Sequence, residues 1–123
     1  LEGLPEQLHG LVYCPGSINL KPFNRISADD FRKELEINAT GAFLALQQAF
    51  PALKASGEGS AVLFSTVAVQ TGMAFHAGIA AAKGAVEGLV RALASEWAPG
   101  VRINAVAPSL TDTPLAQKLL NTE

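Results

Sequence analysis

Ala61-Val62-Leu63-Phe64, closed by the hydroxyls of Ser65-Thr66 and preceded by Gly57-Glu58-Gly59, is the stretch on which the fold turns. A short run bounded by turn residues reads as a strand. One that is apolar at every position has the pattern of a strand buried on both faces of a parallel sheet. Two further runs flank it. Leu8-His9-Gly10-Leu11-Val12-Tyr13-Cys14 is a short apolar strand stopped by Pro15-Gly16. Val101 to Ala107 is a third, ended by Pro108.

Helical patterns fill the gaps. Ser27 followed by Asp30 has the form of an N-cap with acidic groups in the positive first turn. From there to about Ser56, Phe31, Leu35, Ile37, Phe43, Leu44, Leu46, Phe50 and Leu53 recur mostly at helical spacing. Pro51 is expected to kink or loosen this helix, because it lacks an N–H and clashes one turn back. Residues 67–76 read as a loop. A second helix is expected from Ala77 to Ala98, stopped by Pro99-Gly100. A short helix is expected near Thr113-Pro114, with Thr113 as its cap.

The order strand, helix, strand, helix, strand, with long connections, predicts an α/β fold of three parallel strands and two long crossover helices. Crossovers stepping in one direction put both helices on one sheet face. The opposite face then has no cover within the chain, although the middle strand is apolar throughout. The segment is therefore expected to belong to a larger domain or to need another chain. Leu1, in place of a methionine, points the same way.

Composition narrows the function. The chain has 123 residues, 49% hydrophobic and 16% charged, enough for one small, rather apolar domain. A net charge of −2 gives no reason to expect nucleic acid or an anionic membrane as partner. No apolar run reaches the roughly eighteen residues of a membrane span, and no signal-peptide pattern is present. Cys14 is the only cysteine, so neither an intrachain disulfide nor a cysteine zinc cluster can form. Asp29, Asp30, Glu34 and Glu36 read as a solvated helix face, not a metal site. A reducing, cytoplasmic setting is expected.

The chemistry-bearing stretch is Phe75-His76-Ala77-Gly78-Ile79-Ala80-Ala81-Ala82-Lys83-Gly84-Ala85-Val86-Glu87-Gly88-Leu89. With Asn38, Ser65-Thr66 and Asn104-Ala105-Val106-Ala107-Pro108 in order around it, the chain from about Leu8 onward resembles the second half of a short-chain dehydrogenase/reductase. The resemblance implies a partial Rossmann-like, doubly wound NAD(P)-binding domain over residues 1–123, without the glycine-rich phosphate turn of the first half. The three strands correspond to the fourth, fifth and sixth of the family sheet. Absent are the first three strands, the pyrophosphate site and the residue that selects NAD or NADP.

Residue by residue, Asn38 matches the helix asparagine that shapes a proton-relay water site. Thr66, thirteen positions before Ile79, stands where the family has its catalytic serine. Lys83 matches the lysine that grips the nicotinamide ribose and lowers the tyrosine pKa. The tyrosine position, four residues before that lysine, is Ile79, which can neither donate nor accept a proton. Gly16 remains from the family's Asn-Asn-Ala-Gly segment. Pro108-Ser109-Leu110-Thr111-Asp112-Thr113 matches the segment that meets the nicotinamide carboxamide, which makes Pro108, Thr111 and Thr113 candidate cofactor contacts beside Gly16 and Lys83. No metal site is implied.

Each position also has a plainer reading. Ile79 packs as a helix-start hydrophobe, Lys83 lies on a solvated face, and Thr66 is a β-branched strand-end residue. Asn38 hydrogen-bonds within a loosened helix, and Asn104 satisfies buried backbone. His76, three residues before Ile79, either substitutes for the absent acid or is a solvated loop residue. Small residues crowd the 77–98 helix, either for close packing on its own sheet or for approach to another helix. The family resemblance implies a homo-oligomer through the helices of 27–56 and 77–98. Two functions are thus expected. One is an oxidoreductase segment for hydride transfer between NAD(P)(H) and a small alcohol or carbonyl compound, inactive or impaired as it stands. The other is a non-catalytic scaffold for dimerisation or ligand binding.

Overall fold

The computed structural model describes residues 2–120. Three strands, β1 (Gly10–Tyr13), β2 (Ser60–Phe64) and β3 (Arg102–Val106), form one parallel sheet in the order β1-β2-β3. Leu11 is opposite Ala61, and Ala61 is opposite Ile103. Ladder-like bonds continue past the strand end: Ser65 N–H donates to Val106 O and Val67 N–H to Pro108 O. That continuation holds Thr66 beside the segment that follows β3.

The first crossover contains α1 (Ala28–Leu35), a π-helical turn (Glu36–Thr40) and α2 (Gly41–Ala55). Ser27 and Asp30 form the capping box that their spacing predicts: Asp30 N–H donates to Ser27 Oγ, and Ser27 N–H to Asp30 Oδ2. The Lys21 ammonium, aided by the Ser27 donors, holds the Asp30 carboxyl down at about 2. The loosening expected at Pro51 lies elsewhere. Helix α2 runs through Pro51, and the wide turn comes more than ten residues earlier. Pro51 and Gln47 are both exposed, so the carbonyl that proline leaves without a donor faces water.

The second crossover contains α3 (Ala68–Thr71) and α4 (Ala77–Trp97). Residues 67–76 are therefore not all loop. Thr66 Oγ1 accepts from Ala68 N–H at 3.2 Å and starts the short helix. Near the C-terminal end, α5 spans Gln117–Leu120, and Thr113 Oγ1 accepts from Ala116 N–H in the turn ahead of it. The cap is where the sequence places it, with the helix itself displaced by one turn.

Both crossover helices cover the same sheet face. Ala61, Leu63 and Ile103 pack with Leu46, Ala49 and Leu53 of α2 and with Val86 and Val90 of α4 in one cluster. Phe50 stacks on Trp97 at 4.6 Å between ring centroids, joining the two helix ends. Two glycines shape the entry to β2. Gly57, at φ 74°, closes α2 in the left-handed conformation. At Gly59 a Cβ would collide with the Leu53 backbone.

Among the described residues, little covers the other face. Val12 is 57% exposed and Val106 49%, while Val62 and Phe64 are only half-buried. The strand that reads as buried on both sides is buried here on one. Asn104 also faces outward and is exposed, so it does not satisfy buried backbone.

Candidate active site

A cavity of about 540 Å³ opens where β1 and β2 end and α4 begins. It gathers Asn38, Thr66, Ile79 and Lys83, the four positions of the chemistry-bearing pattern. Gly16, Pro108, Thr111 and Thr113 line it as well. Every residue singled out above as catalytic or cofactor-binding thus meets one cleft, although the positions span almost a hundred residues of sequence.

The π turn sets the floor. A wide turn leaves i−4 carbonyls without their usual donors, and Gly41 N–H donates five residues back, to Glu36 O. Asn38 is 1% exposed, and its Nδ2 donates to Glu34 O at 2.9 Å. Tyr13 Oη donates to Ile37 O at 2.7 Å. A β-carbon at Gly41 would collide with that hydroxyl, so any larger residue there would displace the Tyr13 side chain. Asn38 Nδ2 also reaches Ser17 Oγ at 3.2 Å, and its Oδ1 accepts from Ser17 N–H at 3.4 Å. The loosened-helix role and the site role of Asn38 coexist in one side chain.

Glu34 departs from expectation. It is 4% exposed, not part of a solvated face. Its Oε1 accepts from Asn19 N–H at 3.0 Å, and its Oε2 lies against Gly78 of α4, where a β-carbon would collide with it. Burial raises its pKa, the Asn19 N–H opposes the shift, and Asp30 adds to it. Glu34 and Asn38, four residues apart, together fasten the 15–21 loop that forms one cavity wall. Helical periodicity reads position 34 as polar and exposed. The glycine at 78, which alone admits the carboxylate between two helices, was the available signal.

On the facing wall, Ser65 continues the inward alternation of Ala61 and Leu63. Its hydroxyl donates to Glu87 Oε1 at 2.7 Å, and Arg91 donates to Glu87 Oε2 at 3.1 Å. The Ser65 proton is therefore engaged. The Thr66 oxygen accepts one bond and keeps its O–H to donate into the cavity. Ile79 is 4% exposed and forms a hydrocarbon wall. Lys83 is half-buried, with its pKa lowered by desolvation, and no carboxylate pairs with it among the described residues.

An ammonium so placed needs oxygen acceptors, which the hydroxyls of a nicotinamide ribose would supply. Gly16 leaves room for them: a β-carbon there would stand 3.3 Å from Asn38 Oδ1 and 3.8 Å from Lys83 Nζ. The nicotinamide-ribose end of NAD or NADP fits these residues. Nothing among the described residues forms the glycine-rich strand-to-helix turn that would hold the pyrophosphate.

Comparison with known proteins agrees with this geometry. The family model described as enoyl-(acyl carrier protein) reductase matches residues 2–123. A tropinone reductase homolog of Arabidopsis thaliana is 41% identical over 118 residues, which are 95% of this chain and 45% of the relative. Senescence-associated protein 13 of the same plant is 38% identical over 118 residues, covering 95% and 44%. Among solved structures, a short-chain dehydrogenase/reductase of glucose/ribitol dehydrogenase type from Brucella melitensis superposes with a TM-score of 0.88 at 35% identity, over 94% of this chain and 46% of that one. A gluconate 5-dehydrogenase from Burkholderia cenocepacia, in complex with NADP and tartrate, gives 0.89 at 26% identity, over 94% and 46%. The chain spans about half the length of the relatives it matches, and it belongs to the short-chain dehydrogenase/reductase family.

Proposed function

We propose that this chain is the substrate- and nicotinamide-facing half of an NAD(P)(H)-dependent oxidoreductase acting on a small alcohol or carbonyl compound. The observation that carries the reading is the convergence of Asn38, Thr66 and Lys83 with the 108–113 segment on one cavity. When bound, NAD(P)H would supply the hydride. Lys83 would hold the ribose, Pro108, Thr111 and Thr113 would border the carboxamide, and Thr66 would orient the substrate oxygen. The NADP bound to the Burkholderia cenocepacia gluconate 5-dehydrogenase supports NADP as one candidate. The lone Cys14 supports a reducing, cytoplasmic setting. The test is fluorescence titration of the intact protein with NADH and NADPH. Saturable binding that weakens at least tenfold in Lys83→Met supports the reading, and absence of binding to both overturns it.

Ile79 favours a second reading, a scaffold that binds ligand or dimerises without turnover. Pairing would use the helices of 27–56 and 77–98. Ile37, Phe43 and Leu44 are exposed on the first at 41–44%, and Ala77, Ala81, Ala85 and Gly88 are exposed on the second. Turnover of cofactor by the intact protein with any of a broad carbonyl panel rejects the scaffold reading.

A further inference from the structure

With Ile79 a hydrocarbon wall, a carbonyl oxygen in the cavity needs its proton from another side chain. The Ser65 hydroxyl already donates its hydrogen bond to Glu87. Thr66 can orient an oxygen, but an alkyl hydroxyl is a poor acid. His76 remains. It lines the same cavity as Thr66, Ile79 and Lys83, half-buried at the start of α4 and three residues before Ile79.

Two features fix its ring. His76 Nδ1 lies 2.7 Å from Ala74 O. A carbonyl can only accept, so Nδ1 carries a proton and Nε2 is left to exchange one. Phe75, just before it, has φ 66°, a left-handed conformation costly for a bulky residue. That turn carries the chain from the exposed 72–75 segment into α4 and brings His76 to the cavity mouth. Backbone strain beside a tethered imidazole is the pattern of a placed group, not of a solvated loop histidine.

We propose that His76 is the proton donor of this cavity, its Nε2–H delivering the proton to a substrate carbonyl oxygen oriented by Thr66. The proposal rests on the oxidoreductase reading above. A bound reduced nicotinamide dinucleotide would supply the hydride to the carbonyl carbon. The C=O π pair then forms the new O–H bond with the proton leaving Nε2. The imidazolium ends neutral, its remaining proton on Nδ1, where Ala74 O holds it. The product is an alcohol, and the reverse direction returns the proton to Nε2.

The test uses the intact protein, NADPH and tropinone with 9,10-phenanthrenequinone as probe carbonyls, in His76→Gln, Ile79→Tyr and the double variant. Histidine-selective ¹⁵N NMR of the unliganded protein should find the neutral His76 ring protonated on Nδ1. His76→Gln should lower kcat by about 10²–10⁴-fold with NADPH binding retained. Adding Ile79→Tyr to it should restore turnover to within tenfold of Ile79→Tyr alone. Protonation on Nε2, an unchanged kcat in His76→Gln, or a loss that Ile79→Tyr fails to restore overturns the proposal. A silent wild type beside an active Ile79→Tyr overturns it too, while leaving the oxidoreductase reading standing. No NADPH binding by any form removes both.

Discussion

Gly78 of the second crossover leaves the space that Glu34 of the first fills. The carboxylate occupies the space a β-carbon would take, so Gly78→Ala must displace it. Overpacking of this kind costs roughly 1–3 kcal/mol. The loss should shrink when Glu34→Ala is present as well, and a double-mutant cycle by urea denaturation reads that coupling. Additive losses would mean the helices adjust without feeling the carboxylate.

Glu34 also has a pH signature. Its folded pKa is raised above 4.5, chiefly by burial. The fold therefore favours the protonated acid. Its contribution is full below the unfolded value and is lost as pH rises through the folded one. Glu34→Gln keeps an oxygen for Asn19 N–H without the buried charge. Its Tm should match the wild type below pH 4.5 and exceed it increasingly as pH rises toward neutrality. A constant difference across that range would show that ionisation at position 34 is not what is felt. None of this is legible from one helix alone: Glu34 reads as surface because the helix that buries it, α4, lies more than forty residues away.

At the scale of elements, the π turn decides which way Asn38 points. The sequence marks a breaker at Pro51, whereas the turn is held by contacts from outside the helix, Tyr13 from β1 and Ser17 from the following loop. Such partners are invisible to local periodicity. The strands and the long helices were legible because their signals are local, in apolar runs, Gly and Pro stops, and the Ser27–Asp30 box. Tyr13→Phe should cost about 1 kcal/mol, the net worth of one hydrogen bond. Asn38→Leu removes three polar contacts and leaves Glu34 O without this donor, which should cost about 1–3 kcal/mol. It should also speed hydrogen exchange at the Ser17 amide by at least tenfold, while the β2 amides stay protected. Unchanged exchange at Ser17 would detach the loop from the π turn.

For the molecule as a whole, the determining fact is the uncovered sheet face. Val12, Val62, Phe64 and Val106 lie along it, exposed or half-exposed. Fully burying each such side chain is worth about 1.5–3 kcal/mol, several kilocalories in sum and comparable with the whole stability of a small domain. A parallel sheet with one face in water lacks that contribution and presents a contiguous apolar surface. The 123-residue chain expressed alone should therefore bind a hydrophobic dye and run in light scattering as associated species. Val12→Lys with Val106→Lys should reduce the association, because charges on that face oppose its burial against another apolar surface. Substitutions at Phe43 and Leu44, on the helical side, should leave this mode of association in place. A compact monomer of this chain with cooperative unfolding and no dye binding would show that the covered face suffices. The bare face would then be a tolerated surface, not the seat of a missing layer.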